Sequence, residues 1–155
     1  MRSVLLPALA VLLAAPGCGS PRPVGGSPDA TRSRMARVAL DDVFEVQRGG
    51  AVLLEGQRLR FEAVLSDSRC PADVNCVRAG EAVTAFSFVG PRSIGEVRLQ
   101  IPGYADAETE PRPEQSATRG GLRFTLLALT PYPGTPEAEG EARPVATLRA
   151  ERIGD

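Results

Sequence analysis

From residue 37 onward, apolar and polar side chains alternate in short runs. Gly-rich or Pro-rich breaks interrupt them about every ten residues. That rhythm predicts an all-β fold, an immunoglobulin-like antiparallel β-sandwich of about seven strands. Residues 58–65 give the clearest strand: Leu59, Phe61, Ala63 and Leu65 fall on one face, Arg58, Arg60 and Glu62 on the other. Residues 43–47 and 51–54 flank Gly49-Gly50 and read as a hairpin. Residues 81–89 place Ala82, Thr84, Phe86 and Phe88 together, and Gly90-Pro91 ends that run. Residues 94–101 turn Val97, Leu99 and Ile101 inward, and residues 122–130 align Leu122, Phe124, Leu126 and Ala128. A last strand over residues 144–152 carries Ala146, Leu148 and Ala150 on one face. No stretch has a helical period. Residues 104–118 and 131–141 are polar, acidic and Pro-containing, and both read as mobile or disordered loops.

Ahead of this domain the pattern is different. Met1-Arg2 is followed by the apolar run SVLLPALAVLLAA and then by Pro16, Gly17 and Cys18. A basic start, an apolar core of about a dozen residues and small residues after it make a secretory signal peptide, residues 1–17. The run is too short for a transmembrane helix, which needs roughly 20 apolar residues. Residues 18–36 contain three Pro, three Gly and several Ser without apolar periodicity, the composition of a flexible linker. One domain, residues 37–155, follows.

Composition narrows the chemistry. There is no His, which removes the usual general base near neutral pH and the commonest metal ligand. The formal net charge is −1 with both signs interspersed, so no footprint for nucleic acid exists. Asp41 and Asp42 are neighbours that would point to opposite faces of a strand, a poor arrangement for acid–base work. No nucleophile elbow, phosphate-binding loop or dinucleotide fingerprint occurs. The expectation is a protein that is not an enzyme and carries no cofactor.

Three cysteines divide as one plus two. Cys70 and Cys76, with five residues between them and in an oxidising compartment, are expected to form a disulfide. Its closure of a short loop is worth roughly 2 kcal/mol. Two thiolates without His do not make a zinc centre. Cys18 remains. The junction Ala15-Pro16-Gly17-Cys18 resembles the lipobox of bacterial lipoproteins, with Ala15 where Leu is usual and Pro16 where Ala or Ser is usual. The resemblance implies that Cys18 becomes the first mature residue and is diacylated. Two acyl chains suffice for stable anchoring. Gly19 and Ser20 follow with no Asp at the second mature position, which by the same resemblance favours the outer membrane where one exists.

Residues 67–82 read DSRCPADVNCVRAGEA. Asp67, Ser68, Arg69, Cys70, Pro71, Val74, Cys76, Ala79 and Gly80 match a motif of small exported bacterial proteins and lipoproteins with no assigned activity. In that family Trp is usual where Arg78 stands, and a Pro-Tyr-Pro like that at residues 131–133 follows the penultimate strand. The resemblance implies placement and architecture, not a mechanism. Read physically, Asp67 and Ser68 are turn formers, Arg69 can fork onto Asp67, Asp73 or Glu81, and Gly80 serves a special backbone position. A stapled structural crossover is expected. The alternative is a loop presenting Arg69 and Arg78, with Glu81 beside them, to an anionic ligand or protein. Asp67, Asp73 and Asn75 are also calcium donors by type, though not at EF-hand spacing. The expected role is a cell-envelope lipoprotein, held to the membrane at its N-terminus, whose domain binds an envelope protein or small ligand. Two further readings stay open: a secreted inhibitor or stress-protective protein acting on an external enzyme, and a calcium-binding domain.

Overall fold

The computed structural model describes residues 35–91, 93–104 and 110–154. The expected signal peptide, Cys18 and most of the linker lie outside the described residues. Nine strands are found among those described: β1 (Ala36–Val38), β2 (Val43–Gln47), β3 (Ala51–Leu54), β4 (Gln57–Asp67), β5 (Glu81–Gly90), β6 (Ser93–Pro102), β7 (Ser116–Arg119), β8 (Leu122–Thr130) and β9 (Val145–Arg152). They form two sheets, one in the order β1-β3-β4-β5-β6 and one in the order β2-β9-β8-β7. The expected all-β sandwich is therefore what the chain makes. Its layering is that of an immunoglobulin domain, while its path is two meanders, β3 to β6 and then β7 to β9. β1 pairs with β3 in parallel, and every other pairing is antiparallel.

The core is the set of inward faces. Leu59 and Phe61 of β4, Phe86 and Phe88 of β5, and Leu99 and Ile101 of β6 meet Phe124 and Leu126 of β8 and Leu148 of β9, all fully buried. The Phe61 and Phe86 rings stack at 4.8 Å, and Phe88 of one sheet meets Phe124 of the other edge to face at 5.6 Å. Such pairs add about 0.5–1.5 kcal/mol to the area they bury. Thr84, buried in the same layer, donates its hydroxyl to the Leu99 carbonyl at 2.9 Å, which removes the penalty of an unpaired polar group.

Four expectations are corrected. Residues 43–47 and 51–54 are strands, but they do not pair: β2 joins β9 and β3 joins β4. Residues 48–50 form a corner between sheets, with the Arg48 N–H donating to Pro144 on one side and the Gly49 N–H to Phe61 on the other. Both strands carry one apolar face, Phe44 and Val46 in one and Val52 and Leu54 in the other. In a sandwich such faces meet across the core as readily as side by side. The hairpin is the next turn, Glu55-Gly56 between Leu54 and Gln57, both with positive φ as a two-residue type I′ turn requires.

Second, β4 does not keep one phase. Register shifts between Phe61 and Ala63 and between Val64 and Ser66 mark bulges. Each bulge moves the side chains beyond it to the other face. Val64 packs against the core and Leu65, expected inside, is exposed. A shift between Leu126 and Ala128 does the same in β8, so that Leu129 enters the core and Ala128 is half-buried. Third, residues 113–118 of the expected mobile loop are ordered, within a 3-10 turn (Pro113–Gln115) and edge strand β7. The buried Gln115 amide holds them by donating to the Leu126 carbonyl at 2.8 Å. Fourth, residues 131–141 hold a turn and one short helix, α1 (Pro136–Glu139).

The bulge in β4 can be tested by mutation. Leu59→Ala should cost about 2–5 kcal/mol in urea unfolding, and Leu65→Ala less than about 0.5 kcal/mol. Comparable losses at the two sites would mean that β4 keeps a single phase.

Candidate functional site: the stapled loop

The connection from β4 to β5 begins where the paired strands stop. Past Asp67 the ladder continues through single bonds, from the Ser68 N–H to the Glu81 carbonyl and from the Cys70 N–H to the Ala79 carbonyl, both 2.8 Å. The Ser68 hydroxyl accepts from the Glu81 N–H at 3.2 Å and donates to the Glu81 carbonyl at 3.0 Å. Cys70 and Cys76 are disulfide-bonded with their Cα atoms 5.9 Å apart. Cys70 is buried and Cys76 exposed. Gly80 sits at φ +68°, and a Cβ there would lie 1.8 Å from the Ser68 carbonyl oxygen. Both the conformation and the close approach demand Gly. On the far side of the loop the Ala72 N–H donates to the Pro133 carbonyl at 2.8 Å. A Cβ on Gly134 would meet the Asp73 carboxylate at 2.3 Å.

Arg69 ties these pieces together. Its side chain is 1% exposed. Nε and Nη2 donate to the two oxygens of Asp67 at 2.9 and 2.7 Å, a bidentate fork. Nη1 donates to the Leu129 carbonyl at 2.7 Å and Nη2 also to Pro131 at 3.2 Å. The Asp67 carboxylate further accepts the Arg69 backbone N–H at 3.2 Å. The guanidinium lies 4.7 Å from the Tyr132 ring centroid, a cation–π distance. The Tyr132 hydroxyl in turn accepts the Tyr104 N–H at 3.1 Å. One side chain thus joins the end of β4, in one sheet, to the end of β8, in the other.

The sequence-predicted residues separate into two groups. Arg69 and Cys70 are buried and Gly80 is half-buried, while Asp67 and Ser68 are exposed but bonded, Asp67 to Arg69 and Ser68 to Glu81. Arg78, Asp73, Asn75 and the Glu81 side chain are exposed. Arg69 therefore does not present itself to a ligand beside Arg78. As to calcium, both oxygens of Asp67 face Arg69. Among the described residues no three His, Cys, Asp or Glu side chains come together to hold a metal ion. Sequence reasoning missed Tyr132, Leu129 and Pro131 as the partners of Arg69, because they lie about sixty residues away and no local pattern joins them. The Pro-Tyr-Pro at residues 131–133 was the available signal. Next to Arg69 an open pocket of about 420 Å³ is lined by Arg48, Val64, Leu129, Pro131 and Pro144 among others.

No protein-family model matches the chain, and no curated protein or solved structure is similar enough to count as a match.

Arg69→Ala leaves the Leu129 and Pro131 carbonyls without this donor and Asp67 with only the residue-69 backbone N–H, and should destabilise the fold by about 1–3 kcal/mol. Arg78→Ala, on the exposed side of the same loop, should stay within about 0.5 kcal/mol of the parent. Urea titrations of the two variants check this, and similar losses would deny the clamp its role. Replacing Cys70 and Cys76 together by Ala should cost roughly 2 kcal/mol in the same assay.

Proposed function

We propose that the protein is a cell-envelope lipoprotein, anchored through Cys18, whose β-sandwich is a non-catalytic interaction module. The stapled end of the domain is its working end. The observation that carries this is the division of labour in the loop. Its inward groups are fully engaged in holding it rigid, and that rigidity is spent on displaying exposed Val74, Val77 and Arg78. A surface ordered in advance loses little entropy when it meets its target. The neighbouring pocket at Arg48 and Pro131 offers the same end a concave surface for a small ligand. The absence of His and the interspersed charge support binding rather than catalysis.

The test is intact mass of the protein taken from its own envelope, before and after reduction. The expected result is a chain beginning at Cys18, heavier by its acyl groups, that gains one hydrogen pair on reduction. A chain without acyl groups would overturn the anchor. A photo-crosslinking residue at position 78 should form adducts in the envelope while one at position 58, on the opposite end, should not. Equal yields at the two positions would remove the stapled end as the working surface.

A further inference from the structure

Among the described residues the two sheets end in four edge strands, β1 and β6 in one and β2 and β7 in the other. Three are short, with three residues in β1, five in β2 and four in β7. Short edges resist pairing with another chain. β6 is ten residues long. Its pairing with β5 runs from Glu81 opposite Pro102 to Gly90 opposite Ser93 without a bulge. No described strand pairs with its outer side.

The ladder decides which groups β6 offers. Directly beyond the strand the Gly103 N–H donates to the Gly80 carbonyl at 2.8 Å. Bonded pairs recur at every second residue of an antiparallel ladder. Gly95, Val97, Leu99 and Ile101 therefore turn their N–H and C=O toward β5, while Ile94, Glu96, Arg98 and Gln100 turn theirs outward. Arg119 of β7 finds one of these groups, its Nη2 donating to the Glu96 carbonyl at 3.0 Å. A carbonyl oxygen has two lone pairs, so Glu96 can accept a second donor as well. The side chains of the same four residues lie on the outer face of the sheet, with Ile94 77% exposed and Glu96 and Arg98 exposed and ion-paired.

We infer that β6 pairs antiparallel with β6 of a second copy about a two-fold axis at Val97, joining the two five-stranded sheets into one. Charge chooses this register. With Val97 on the axis, Glu96 lies opposite the second copy's Arg98 and Arg98 opposite the second copy's Glu96, so the four charges alternate. An axis at Glu96 or at Arg98 would set like charges face to face, which is destabilising. An axis at Gly95 would set Glu96 against Ile94. An axis at Leu99 would bring Pro102, which has no N–H to donate, opposite Glu96. The contact is isologous and closes on itself, so a long open edge ends in a dimer rather than in a fibre. It uses no residue of the stapled loop and does not depend on the anchor.

The experiment uses the whole chain purified in a mild detergent, followed by sedimentation equilibrium and amide hydrogen exchange over a dilution series. The parent should weigh as a dimer at the concentrated end. The Glu96 and Arg98 amides should exchange severalfold more slowly there than after dilution. The variant R98E sets Glu opposite Glu and should be monomeric, and the swap E96R/R98E restores the alternation and should recover the dimer. A parent that stays monomeric at every concentration overturns the inference. So does a dimer that R98E leaves intact, or a swap that fails to recover it.

Discussion

A buried guanidinium at the open end of the sandwich holds its two sheets together where the strand ladders run out. The Leu129 and Pro131 carbonyls lie at and beyond the last paired residues of β8, and a backbone carbonyl without a donor costs as much as a lost hydrogen bond. Arg69 supplies both, and Asp67 neutralises it from the neighbouring strand end. Only a planar group with several donors in fixed directions can serve a carboxylate and two carbonyls at once. A Lys ammonium at this place would keep the charge and lose the fork. Tyr132 closes the arrangement from below, its ring against the guanidinium and its hydroxyl on the backbone of Tyr104. The connections after β4, β6 and β8 are thus bound into one cluster.

The disulfide acts inside that frame rather than in place of it. Cys70 follows Arg69 directly, so its backbone is already fixed by the clamp and by the bond from its N–H to Ala79. Cys76 then has only a short span to close. A small domain commonly needs such a staple because its core supplies limited stability. Here the apolar core is continuous through both sheets. The main effect of the staple is therefore local: it restrains residues 71–76, whose side chains contribute little to the core.

The strands were legible because each one buries a single face, and a period of two in the sequence is the direct trace of that. β5, β6 and β9 carry their apolar sets without interruption, and all three are where the alternation puts them. The alternation fails at β4 and β8 for one shared reason. A bulge adds a residue without leaving any mark on hydrophobicity, and Leu65 looks as eligible for the core as Phe61 does. β7 was invisible because Ser116, Ala117, Thr118 and Arg119 present no large apolar side chain. Its order comes from pairing with β8 and from Gln115. The candidate site was half legible. Residues 67–80 announced a stapled turn, but the partner of Arg69 comes from a turn distant in sequence, and only tertiary structure brings the two together.

The same separation explains how one short motif combines burial with display. Arg69 and Cys70 are both buried, while every residue from Ala72 to Arg78 is exposed. Fixing the inward set by charge-assisted bonds, a disulfide and the Gly80 approach leaves the outward set no freedom to fold back onto the domain. Val77 is fully exposed. An apolar side chain kept in water by a rigid scaffold gives up transfer free energy on the order of 1 kcal/mol. That loss is recovered only against another surface.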